Sequence, residues 1–216
     1  DDQGAAASLA VNSKGGKILQ YDFSRVFRLE EGNQNVLNSA DWWLNSGAYF
    51  FSSNGMGSTL QGELATSSKW RLDYLNYDAL ETDNGFHPQN IFRLVTRTQW
   101  LNINQQAYFK LNRYILSPSP NRRESNGFFL FNRYQDGDNL YYTGLRVDGA
   151  VSIKKKYKGV YYEMAYVPFI KNSGIWNRVT NPNLLPVNTW VGLKSEVLNN
   201  PDGSVQVNVY IDLNNS

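Results

Sequence analysis

The run from Gly127 to Tyr166, GFFLFNRYQDGDNLYYTGLRVDGAVSIKKKYKGVYYEMAY, constrains the fold more than any other part of the chain. Short stretches rich in Phe, Tyr, Val and Ile are cut at Asp136-Gly137-Asp138-Asn139, at Asp148-Gly149 and at Lys158-Gly159. Asp-Gly between alternating apolar residues is a hairpin signal, because the turn needs positive φ where Gly carries no penalty. Four consecutive antiparallel strands follow, and with them an all-β fold.

Alternation assigns the faces of these and other strands, since side chains along a strand point to opposite sides with period two. In 204–212, Val205, Val207, Val209 and Ile211 alternate with Gln206, Asn208, Tyr210 and Asp212. In 190–197, Val191, Leu193 and Val197 point inward, and Trp190, Lys194 and Glu196 outward. In 141–147 the inward set is Tyr141, Leu145 and Val147, which leaves Tyr142, Gly144 and Arg146 outside. Val151 and Ile153 pack inward, with Ser152 and Lys154 outward. A strand over 108–115 buries Phe109, Leu111 and Ile115 and presents Tyr108, Lys110, Asn112 and Tyr114. A solvent face normally collects Thr, Lys, Glu and Ser. Here Tyr108, Lys110, Asn112, Tyr114, Tyr142 and Arg146 are expected on one outward sheet face, a mixture suited to sugars, whose C–H faces stack on rings and whose hydroxyls or carboxylates take hydrogen bonds. Cross-strand aromatic pairs that stabilise the sheet are the other reading of the same tyrosines.

The segment Phe131-Asn132-Arg133-Tyr134, the Asp136 to Asn139 turn, Tyr141-Tyr142, Asp148-Gly149 and Lys154-Lys155 resemble the secreted concanavalin A-like β-sandwiches of the laminin-G-like kind. Trp42, Trp43, Gly47 and the run from Tyr49 to Gly62 resemble the first hairpin of that family. Asn188-Thr189-Trp190, 191–197 and 203–212 resemble its closing strand pair. The resemblance implies one antiparallel jelly-roll sandwich over 1–216, with 1–8 an amino-terminal tail, and a lectin-like, carbohydrate-binding or polysaccharide-cleaving role outside the cell. Family members continue past the Tyr-Ile-Asp strand, whereas this sequence stops at Ser216. A longer parent protein, the Ser8 to Gln20 segment or a neighbouring chain could each complete the sandwich.

Retaining glucanases of this fold resemble one another in a Glu-x-Asp-x-Glu strand, and glycoside cleavage needs paired carboxylates; no such run occurs here. Alginate lyases of this architecture carry Tyr-Phe-Lys-x-x-x-Tyr, Arg-x-Glu and Gln-x-His strands. Tyr108-Phe109-Lys110 with Tyr114 looks like the first of these, and the other two are missing. Arg123-Glu124 lies in a polar stretch after two Ser-Pro pairs, and the single histidine, His87, sits before a proline in a turn-rich segment. For a lyase acting on uronates, the implied machinery is Tyr108, Tyr114, Lys110 and Arg146.

Composition narrows the remaining classes. In 216 residues, 21 Lys and Arg face 19 Asp and Glu, so charge gives no argument for nucleic acid. Absence of cysteine excludes disulfides, thiol nucleophiles and Cys-ligated zinc, and no run suffices for a membrane-spanning helix. The fourteen tyrosines, six tryptophans and many asparagines suit an extracellular carbohydrate-active protein. Asp136, Asp138 and Asn139 could hold a structural calcium or form an ordinary turn; no other cofactor is implied. Lys154 in the cationic run 154–158, and Trp176 in the irregular stretch 168–186, are further ligand candidates. The sequence-level expectation is a secreted, non-catalytic polysaccharide binder on Tyr108, Lys110, Asn112, Tyr114, Tyr142, Arg146, Lys154 and Trp176. A uronate lyase and a self-assembling surface or filament subunit, homo-oligomeric through its sheet edges, are the alternatives.

Overall fold

A computed structural model describes residues 8–11, by backbone alone, together with 17–171 and 173–213. Most of the tail expected over 1–8 lies outside the described residues. Fourteen strands dominate: β1 (Ser8–Val11), β2 (Lys17–Gln20), β3 (Phe27–Glu30), β4 (Trp42–Ser46), β5 (Tyr49–Ser53), β6 (Met56–Thr59), β7 (Arg93–Thr96), β8 (Ile103–Lys110), β9 (Gly127–Asp136), β10 (Asn139–Arg146), β11 (Ala150–Tyr157), β12 (Val160–Pro168), β13 (Trp190–Asn199) and β14 (Val205–Asp212). One helix, α1 (Lys69–Tyr77), and a 3-10 turn at Pro88–Ile91 interrupt them. All strand pairings within the sheets are antiparallel. The fold is an all-β antiparallel sandwich. Contacts divide the chain into two compact units, 1–98 with 117–119, and 99–116 with 120–216.

In the first unit, the sheet β3-β5-β6 and the pair β4-β7 enclose Leu29, Leu44 and Phe50, with Phe23, Phe27, Trp42, Phe92 and Leu94 packed around them. The Asn54-Gly55 turn joining β5 to β6 has positive φ at both residues, the geometry that matches strand twist. Helix α1 is anchored by Tyr74. Its buried hydroxyl donates to Glu31 (2.6 Å) and accepts the Gly47 N–H (2.9 Å). Among the described residues, strands β1 and β2 pair only with each other.

The second unit is two sheets face to face. One is the meander β12-β11-β10-β9 foreseen from the turns; the other runs β14-β13-β8. Leu130 and Leu145 from the first meet Val191 and Leu193 from the second, with Leu185 from the preceding loop completing the core. Phe109 stacks on Phe128 across the gap, their centroids 5.7 Å apart. One buried polar residue bridges the sheets: Asn132 Oδ1 accepts from Gln105 Nε2 and Ser195 Oγ, both at 2.8 Å. Because a buried amide without partners is costly, this bridge fixes how the sheets stack. Within the four-stranded sheet Gly144 permits a close approach of β10 to β9, since a Cβ there would collide with the Phe128 carbonyl.

Two sheets of unequal width leave one side open. Beside β14, the inner faces of β11 and β12 are uncovered and a groove of about 350 Å³ runs between them, lined by Val151, Ile153, Ala165, Val167, Val207 and Val209 among others. All nine residues of β12 are exposed. Its register slips at Met164, which has no partner between Glu163 and Ala165.

Candidate functional site

Strand β8 ends at Lys110, two residues before Asn112, because the chain leaves β13 after the Lys110–Trp190 pair. Tyr108 and Lys110 project outward from the three-stranded sheet, as their alternation requires. Tyr142 and Arg146 project outward from the four-stranded sheet. The two sets therefore sit on opposite sides of the second unit, and the single shared face expected for all six residues does not form. Period two gives the parity of each strand correctly, but not which sheet the strand joins. Asn112 and Tyr114 are exposed in the extended segment after β8. Trp176 is tied into its own loop, its indole N–H donating to the Pro182 carbonyl at 2.9 Å. His87 lies buried in the first unit, 3.3 Å from Asp83 and 3.7 Å from Glu63.

On the four-stranded sheet the outward residues form a continuous aromatic platform. Tyr142 is its centre, edge-on to Phe129 (5.3 Å), Phe131 (6.4 Å) and Tyr161 (6.4 Å). Phe131 stacks nearly parallel on Tyr134 at 5.9 Å. These two share a face despite their odd spacing because Arg133 adopts positive φ (49°) and bulges the strand. Tyr161, 65 % exposed, is the most open ring of the set. Two lysines thread the rings: Lys154 Nζ lies 5.1 Å from the Phe129 centroid and 5.6 Å from Tyr142, and Lys156 Nζ lies 4.8 Å from Tyr161. These are cation–π distances.

Lys154 is only 8 % exposed and donates to the Ser125 carbonyl at 2.9 Å. Burial, reinforced by the nearby Arg146 charge, lowers its pKa to about 8. Desolvation pushes the Tyr142 phenol well above its ordinary value. Beside them Arg146 is buried, with Nε and Nη2 on Asp148 (3.2 and 2.8 Å), Nη1 on Glu163 (2.5 Å) and its guanidinium 4.7 Å from the Tyr166 ring. Arg146 therefore has a structural role in this face, because its charge is saturated by two carboxylates rather than offered to solvent.

Asp136, Asp138 and Asn139, candidates for either a calcium site or an ordinary turn, form a turn. Asp136 Oδ1 accepts the Asp138 N–H (2.8 Å), both Asp136 oxygens accept from the Asn139 amide, and Asp138 pairs with Lys156 at 2.9 Å. These donors hold the Asp136 carboxyl below its ordinary range. No cluster of three or more His, Cys, Asp or Glu able to hold a metal occurs among the described residues.

On the other sheet, Tyr108 donates to Asp212 at 3.2 Å, a bond that raises its pKa. Lys110 Nζ lies 5.2 Å from the Trp190 ring, and Lys194, Glu196 and Tyr210 form a surface network. Among the described residues, no helix is long and apolar enough to cross a membrane. Comparison with protein-family models, with curated proteins and with solved structures finds no match to this chain.

Alternation alone reaches Tyr142, Arg146 and Lys154. It misses Phe129, Phe131, Tyr134 and Tyr161, because the register carried from the Asp136–Asn139 turn would set Arg133 opposite Tyr142, whereas the shift between β9 and β10 sets Phe131 there. Nothing in the sequence marks the bulges at Arg133 and Met164, which shift the parity of β9 and β12.

Proposed function

We propose that this chain is a secreted carbohydrate-binding protein of concanavalin A-like, laminin-G-like kinship that takes a polysaccharide on the outward face of the four-stranded sheet without cleaving it. The observation that carries the reading is the five-ring platform Phe129, Phe131, Tyr134, Tyr142 and Tyr161, placed where a strand face normally presents polar residues. Rings gathered on one strand face suit a glycan, since a sugar can stack on an open ring such as Tyr161 while its edge-on neighbour Tyr142 holds that ring's surroundings apolar. The Tyr161 hydroxyl offers a hydrogen-bonding group at the rim.

The lyase reading is weaker on geometric grounds. β-Elimination needs a base for the C5 proton and a cation for the enolate within reach of one sugar. Tyr108 and Lys110 lie on the far side of the unit from Arg146, and the Asp212 bond moves the Tyr108 pKa away from that of a base.

Affinity electrophoresis against neutral and uronate polysaccharides tests the proposal. Retardation should be weakened about tenfold by Tyr161→Ala, as for an exposed aromatic anchor, and left unchanged by Tyr108→Ala. Retardation that survives Tyr161→Ala and Tyr134→Ala but is lost with Tyr108→Ala would move the site to the other sheet. Release of unsaturated uronate would overturn the non-catalytic reading.

A further inference from the structure

Two of the edge strands of the second unit, β12 and β14, are treated differently. Strand β12 carries the devices that discourage pairing: a bulge at Met164, a terminal Pro168, and Lys154 to Lys156 on its neighbour. Strand β14 carries none. Its eight residues pair with β13 without a register shift, and the strand contains no Lys, Arg or Pro. Its inward Val205, Val207, Val209 and Ile211 are only half-buried, and Val207 and Val209 line the groove left open by β11 and β12. The missing element is a single strand. It would pair with β14 through its backbone and lay alternate apolar side chains over Ile153, Ala165 and Val167.

A two-fold contact of β14 with β14 of a second copy does not fit. The overhanging β12 of each copy would occupy space over the partner's β14 that the partner's own β10 and β11 already fill. The occupant must arrive as a strand with a free edge, and β1 has one, since among the described strands it pairs with β2 alone. The sequence leading through it, Asp1-Asp2-Gln3-Gly4-Ala5-Ala6-Ala7-Ser8-Leu9-Ala10-Val11, is small and apolar from Ala5 onward except at Ser8 and contains no Lys, Arg or Pro. The groove also has a polarity. Lys155 follows Ile153 on the same inward face of β11, toward the end where β14 begins, with its Nζ held over the rings of Tyr141 and Tyr157 at 5.8 and 5.1 Å rather than paired with a carboxylate. Asp1 and Asp2 complement it when the incoming strand runs parallel to β14.

We infer that the amino-terminal segment of a second copy adds to β14 as a further strand of the three-stranded sheet. Each copy donates at one place and accepts at another, a heterologous contact that builds assemblies larger than the single chain and extends into a string of subunits where its rotation does not close. It leaves the aromatic platform free, and stands or falls independently of glycan binding.

Sedimentation velocity of the full chain over a range of concentrations, with a fluorescein-labelled synthetic peptide of residues 1–11 as a separate probe, tests the inference. The expected result is a mass that climbs in steps with concentration, a chain lacking residues 1–11 that stays monomeric, and labelled peptide that binds this shortened chain. Val209→Lys in the groove should weaken peptide binding at least about tenfold. Lys155→Glu, at a position exposed enough to keep the fold, should weaken it too, and a peptide with both aspartates changed to lysine should restore it. A full chain that is monomeric throughout and binds no peptide overturns the inference. Association that persists without residues 1–11, or peptide binding indifferent to both Val209→Lys and Lys155→Glu, overturns it equally.

Discussion

Replacing Arg146 with methionine separates a structural cation from a ligand donor. The guanidinium side chain is 7 % exposed, Asp148 beside it 10 %, and Glu163 on its other side 42 %. Removing one partner of a buried ion pair typically costs about 3–5 kcal/mol, because the charge left behind has lost its water as well as its partner. Glu163 contributes little to that figure, since water can take over the bond, as for surface pairs worth about 0–1 kcal/mol. Asp148 keeps the Ala150 N–H at 3.1 Å and a Tyr166 hydroxyl at 3.5 Å, which places the cost near the lower end, about 3 kcal/mol. For a unit of this size that corresponds to a fall in Tm of roughly 10–15 °C. Urea unfolding followed by far-UV circular dichroism measures it. The double variant Arg146→Met/Asp148→Asn should recover about 1–2 kcal/mol, since it removes the stranded charge while Asn keeps the turn bond to Ala150. Below the transition, glycan affinity should match that of the parent chain. A single variant that loses less than about 1 kcal/mol, or that loses glycan affinity at unchanged stability, would refute the reasoning and return Arg146 to the ligand.

Three further expectations follow from the same face and its turns. Between about pH 8 and the ordinary lysine value of 10.5, folded chains have released the Lys154 proton while unfolded chains retain it; the unfolded state binds more protons there, so stability should rise with pH across that window. Lys154→Met should abolish the rise in urea midpoints, while the raised Tyr142 pKa makes both proteins lose stability above about pH 10. Gly144→Ala should cost about 3 kcal/mol by overpacking against the Phe128 carbonyl, whereas Gly137→Ala, with nothing within 4 Å of the added carbon, should leave the denaturation curve unchanged. Adding a chelator, or calcium, should not move Tm, because the Asp136 and Asp138 carboxylates already hold Asn139, the Asp138 N–H and Lys156.

The meander was legible because its punctuation is local: Gly149, Lys158 and Gly159 take the positive φ that their turns demand, and the inner strands β10 and β11 carry no bulge between Tyr141 and Lys156. The inward set Val191, Leu193 and Val197 was legible for the same reason and is fully buried. Helix α1 was not. Its Trp70, Tyr74 and Tyr77 are poor helix formers, and only Tyr74 is buried, so neither propensity nor period announces it. The site was half legible. Parity placed Tyr142 and Lys154 outward, but Lys154 is buried on that face while inward Val151 and Ile153 remain partly open. The open edge inverts the usual relation of face to burial, and sheet membership depends on pairings far apart in the chain.

No tryptophan occurs between Gly127 and Pro168, so the whole four-stranded sheet is spectroscopically a tyrosine and phenylalanine surface, whereas the opposite sheet carries Trp190 beneath Lys110. The two faces thus report in different bands. A ligand seated on the platform should perturb the near-ultraviolet absorption of Tyr142 and Tyr161 with little change in tryptophan emission, and one seated across β8 and β13 should quench or shift that emission. The occupied side can be read from the unlabelled protein in a single titration.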